Sequence, residues 1–101
     1  MIPEKFRIAG GKEIVVIMED TLLNNSGSSI FGYFDDAKNI IKVARKVKSD
    51  DEWVDLTPED IERTYYHELG HVYQFYNGLE MTETGAQSFS NFLFEYMNTK
   101  V

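Results

Sequence analysis

The 101-residue sequence contains no cysteine, two prolines and two histidines. The missing cysteine excludes a disulfide framework and thiolate metal ligands, so any metal would have to rely on His, Asp or Glu. It also fits a reducing compartment, and a cytoplasmic location is the expectation. No apolar run approaches the length of a membrane-spanning helix, and the opening MIPEKFRIAGG lacks the charged head and apolar core of an export signal. Neither export nor a membrane partner is expected. Basic residues are scarce: ten Lys and Arg face seventeen Asp and Glu, for a net charge of -7, so no nucleic-acid partner is expected either. Lys38, Lys42, Arg45, Lys46 and Lys48 do cluster, but Asp50, Asp51, Glu52 and Asp55 follow at once. This stretch reads as a solvated strand end and loop rather than a phosphate track.

What is present is a globular composition, 43% hydrophobic and 14% aromatic, in a length suited to one domain over residues 1–101. The first half carries sheet patterns. Lys5 to Ile8 alternates, Gly10-Gly11 signals a tight turn, and Glu13 to Met18 is a β-branched run. Asn24 to Ser29 is small polar loop. Ile30 to Phe34 and Asn39 to Ala44 are further strands, with a hairpin turn at Asp35 to Lys38. The second half predicts two helices. Thr57-Pro58-Glu59-Asp60 combines a hydroxyl cap, a first-turn proline and first-turn acids, so a helix should run from Pro58 to about Asn77 and stop at Gly78. A second helix should run from about Thr82 to Asn98. The expected class is α+β: a small, mostly antiparallel N-terminal sheet packed on two C-terminal helices.

Both histidines fall in the first helix, in HELGH, with Glu68 after His67 and His71 four residues on. Residues four apart lie nearly above one another on a helix, so both imidazoles can reach one cation, while Glu68 is rotated towards a water near it. Shuffling this composition yields the same arrangement in roughly one case in five hundred. Ile61, Tyr65, Leu69, Val72 and Tyr76 form the apolar stripe, and the histidines lie beside it, half-buried. A third protein ligand must be a carboxylate. The second helix returns the chain past the first, so Glu83 is preferred and Glu80 is the alternative. An acid at position 83 also suits a helix N-terminus without any metal. On a helical projection Ala86, Phe89, Leu93 and Met97 form the core arc, with Glu83, Gln87, Ser90 and Phe94 at its edge.

An HExxH helix behind a sheet, followed by a glutamate on the next helix, resembles the gluzincin metallopeptidases. The small size looks most like the minigluzincins and the ImmA/IrrE-type zincins, and Glu83 to Phe89 is similar to the E-x-x-A-x-x-F pattern of the latter. The resemblance spans residues 28–97 and is specific at HELGH. It implies a zincin-like minimal fold that holds zinc through His67, His71 and Glu83. Glu68 would be the general base and acid in hydrolysis of a peptide or protein substrate. The substrate would lie along an edge strand, supplied by Ile30 to Phe34 or Asn39 to Ala44. Gluzincins also carry an acid four residues after the ligand glutamate, where this chain has Gln87. An amide oxygen can accept from an imidazole N–H but adds no charge, so a weaker metal site is expected. Tyr66, Tyr76 and Tyr96 are the candidate oxyanion donors. No methionine-turn motif points to the metzincin branch. Two other readings stay open: a zinc-binding, non-catalytic regulatory or partner-binding module of phage or mobile-element type, and a metal-free α+β domain.

Overall fold

Lys5–Arg7 forms β1, and Gly10 and Gly11, at φ 88° and 80°, turn the chain back into β2, Glu13–Glu19. Both glycines adopt a backbone region that other residues rarely enter, which is why a Gly-Gly pair marks this turn. The computed structural model describes residues 2–8 and 10–99. β3, Gly32–Asp35, and β4, Ile40–Ala44, form the expected hairpin. Its turn is held by Asp35 Oδ1, which accepts from the N–H groups of Ala37 and Lys38 at 3.1 and 3.2 Å, with Asn39 at φ 56°. β1 and β2 pair antiparallel, whereas β4 lies parallel beside β2. The sheet order is therefore β1-β2-β4-β3, with β3 on one edge and β4 in the interior. Of the two strands offered as a substrate edge, the Ile30 to Phe34 region holds that position and Asn39 to Ala44 does not.

The stretch read as a solvated strand end and loop is corrected by a second, two-stranded ribbon. β5, Lys46–Ser49, pairs antiparallel with β6, Glu52–Asp55. Asp50 and Asp51 turn between them at φ 50° and 63°, the left-handed pair that a two-residue hairpin needs. Carboxylates answer the basic cluster locally: Lys42 meets Glu19, Arg45 meets Asp20 and Lys46 meets Asp55.

α1 runs Pro58–Tyr76. Thr57 Oγ1 accepts from the Asp60 N–H at 3.1 Å, and Gly78, at φ 67°, ends the helix with the two backbone bonds of a Schellman motif. Its stripe packs on the sheet: Tyr65, Tyr66 and Val72 meet Ile14, Val16, Ile41 and Val43, with Ile61, Leu69 and Tyr76 at the margin. α2, Glu83–Thr99, starts behind a Thr82 cap and packs on α1. Lys100 and Val101, the end of the C-terminal tail, lie outside the described residues. The core arc expected for α2 needs correction. Met97 is exposed, while Ser90 is fully buried and donates from its hydroxyl to the Arg63 carbonyl. The contact line runs through Ala86 and Ser90, flanked by Leu93 and Phe94. Gly70 explains this rotation: a Cβ there would stand 2.8 Å from the Ala86 Cα, so only glycine lets the helices approach so closely.

Candidate metal centre

The turn of α2 around the Gly70–Ala86 contact brings the edge of that helix over HELGH. His67 Nε2 lies 3.0 Å from Glu83 Oε1, and His71 Nε2 lies 2.8 Å from Glu83 Oε2. The three side chains offer ligand atoms within 4.8 Å of one another and could hold a metal ion. Glu80 stays in the exposed loop before α2 and is not part of the group.

The outward nitrogens are fixed as well. His67 Nδ1 lies 3.0 Å from Gln87 Oε1, and Gln87 Nε2 donates to Asn91. His71 Nδ1 lies 3.0 Å from Gln74 Oε1, and Gln74 Nε2 donates to the Thr82 carbonyl at 3.1 Å. A carbonyl oxygen only accepts, so the Gln74 amide can turn only one way, with its own oxygen towards His71. Facing the Gln74 oxygen, His71 Nδ1 must carry a proton, and His67 Nδ1 carries one where the Gln87 oxygen faces it. In neutral rings the Nε2 lone pairs then point at the oxygens of Glu83. Lone pairs facing a carboxylate repel unless a proton or a cation stands between them. The donor set therefore fits a cation: two neutral imidazoles and one carboxylate, with the tautomers already selected. In a tetrahedral set with bonds of ~2.0–2.1 Å, ligand atoms stand about 3.3 Å apart; the two His–Glu83 separations, 3.0 and 2.8 Å, are somewhat shorter, so the side chains would open slightly around an ion.

From the sequence, Thr82 and Gly85 fall at the start of the second helix, and neither they nor Gln74 are assigned to the site. The spacing of Gln74 three residues after His71 was the available signal. Gly85 belongs to the same arrangement, because a Cβ there would stand 2.6 Å from Gln74 Nε2.

Electrostatics separates the two glutamates. Glu68 is only 5% exposed and has no hydrogen-bond partner among the described residues. Burial pushes its carboxyl up to about 7; His67 opposes the rise and Glu83 adds to it. Burial also works to raise Glu83, but in the metal-free protein the hydrogen bond from His67 and the positive charge of both imidazoles when protonated outweigh it and hold that carboxyl below its ordinary value.

Glu68, His67 and Glu83 border a cleft of about 390 Å³ whose floor is α1 and whose sides are Phe31-Gly32 and α2. Arg63 and Thr64 line it too. β3 lies against α1 so tightly that a Cβ on Gly32 would stand 2.8 Å from the Thr64 methyl. Phe31 accepts from the Ala44 N–H, so alternation turns the N–H and C=O groups of Gly32 and Phe34 outward along the open edge. The tyrosines considered as oxyanion donors lie elsewhere. Tyr66 is buried against Tyr65 and Phe94, the Tyr76 hydroxyl donates to Asn39, and Tyr96 is exposed on α2 beyond the cleft. No described helix is long and apolar enough to cross a membrane. Comparison with known protein families, characterised proteins and solved structures finds no match to this chain.

Proposed function

We propose that the chain is a minimal, gluzincin-like zinc peptidase that acts on peptide or protein substrates in the cytoplasm. The observation that carries this reading is the convergence of both Nε2 atoms on the two oxygens of Glu83 beside a buried, unpartnered Glu68. His67, His71 and Glu83 hold the ion, three protein ligands being the usual number for a catalytic zinc. Zinc bound there supplies the Lewis acidity for attack on the carbonyl. Glu68 takes the proton of the attacking water and delivers it to the leaving amine as the oxygen–carbon bond forms and the carbon–nitrogen bond breaks. Gln87 and Gln74 hold the imidazole planes. The outward N–H and C=O groups of Gly32 and Phe34 bind the substrate backbone by strand addition.

Metal analysis of the purified protein should find about one zinc per chain, lost in His67→Ala and Glu83→Ala. Glu68→Gln should keep the zinc and lose hydrolysis of a mixed peptide library; activity surviving that substitution rules out the mechanism. A second reading, a zinc-binding module without catalysis, is favoured by one feature: none of the three tyrosines reaches the cleft to stabilise an oxyanion. Zinc binding with no cleavage of any library member would decide for it.

A further inference from the structure

Arg63 is the one Lys or Arg that lines the cleft among the described residues. It precedes His67 by one turn of α1, about 6 Å along the helix axis. Two contacts hold its side chain in place. Nε donates to Glu59 at 3.2 Å, and the guanidinium carbon lies 3.8 Å from the centre of the Phe94 ring. Its two terminal nitrogens have no hydrogen-bond partner among the described residues. A guanidinium oriented in this way presents a fork that matches a carboxylate.

The direction of the edge strand says which end of a substrate would meet it. β3 runs the same way as α1: Gly32 packs on Thr64 near the start of the helix, and Phe34 meets Phe75 near its end. A segment added antiparallel to β3 therefore runs towards Phe31 and Arg63 at its C-terminal end. Carbonyl carbons in an extended chain are spaced by about 3.5 Å per residue. A carboxylate one or two residues past the scissile bond thus falls within reach of a side chain one helical turn from His67. Asp60 lines the same cleft and Glu59 pairs with Arg63 Nε, so the two terminal nitrogens of Arg63 are the cationic donors left there for a terminal carboxylate. Phe31, half exposed at the same end, offers an apolar wall to the last side chain.

We propose that Arg63 receives the free C-terminal carboxylate of the substrate, so that the preferred class is peptides ending one or two residues past the scissile bond. The assignment rests on the hydrolase reading above, and its test separates the two. N-acetyl-trialanyl-phenylalanine, as the free acid and as the carboxamide, is titrated into zinc-loaded Glu68→Gln protein, in which cleavage is blocked. The acid should bind at least tenfold more tightly than the amide. Arg63→Met, which keeps an aliphatic stem over Phe94, should bring that ratio close to one, and Arg63→Lys should leave it intermediate. If Arg63→Met does not fold, Arg63→Gln serves in its place. A ratio near one in the Glu68→Gln parent, no binding of either peptide, or a ratio that survives loss of the guanidinium overturns the assignment. The same two peptides are then offered to the intact zinc-loaded protein. Cleavage without preference for the acid leaves the hydrolase standing and removes Arg63 from it. Acid-selective binding with no cleavage removes the hydrolase and leaves the carboxylate site.

Discussion

Ionising Glu68 in the metal-free protein means placing a charge on a side chain that burial has stripped of most of its hydration. Its carboxyl titrates near 7 in the fold against 4.5 for an unhindered glutamate, so between those pH values the folded chain holds a proton that the unfolded chain has released. Stability from this residue is therefore fully present below about pH 4.5 and is lost as pH rises through about 7, a loss of roughly 3 kcal/mol. Metal-free Glu68→Gln should escape that loss. Urea unfolding at pH 4.5 and pH 8 should show the variant gaining on the parent at the higher pH; an unchanged difference would show that burial does not control this carboxyl. Gln74 acts through His71, and Gln74→Ala should weaken zinc binding by roughly tenfold, read by competition with a chromophoric chelator. Gln87→Glu should tighten binding in the same assay, because a carboxylate makes the His67 ring more basic.

At the scale of elements, the contact between α1 and α2 decides whether the site exists. Gly70→Ala pushes a methyl group into Ala86 and must move the helices apart. It should cost about 1–3 kcal/mol in urea unfolding and, because Glu83 moves with α2, weaken zinc binding as well. Loss of stability with unchanged zinc affinity would mean that the ligand is set by local structure alone. The same contact marks the limit of what the sequence discloses. α1 is legible end to end because Thr57, Pro58 and Gly78 act locally, and HELGH is legible because its geometry is contained in one helix. The rotation of α2 depends on a gap that only two helices together define, so Met97 was expected inside and Ser90 at the edge. The parallel pairing of β2 with β4 joins strands that have β3 and its flanking loops between them in the chain, which no short-range pattern encodes. The β5–β6 ribbon was hidden by its own composition: lysines and aspartates read as loop, although Val47 pairs with Val54 across it.

For the whole molecule, a cation that binds only the folded chain shifts the unfolding equilibrium by mass action. Zinc at about 100 times its dissociation constant should stabilise the protein by about 2.7 kcal/mol, which for a chain of this length raises the melting temperature by roughly 10–20 °C. Calorimetry before and after chelation checks this, and Glu83→Ala should show no such shift; an equal shift in that variant would place the ion elsewhere. α2 docks against α1 and has no comparable contact with either sheet. Because Glu83 sits at the first residue of α2, a shared ion would add a bond at the entry of that helix to the packing that holds it on α1. Backbone amides of α2 should then exchange with deuterium faster once the ion is stripped, while those of β2 and β4 hardly change. Occupancy of the centre would set how long the second helix stays closed over the first.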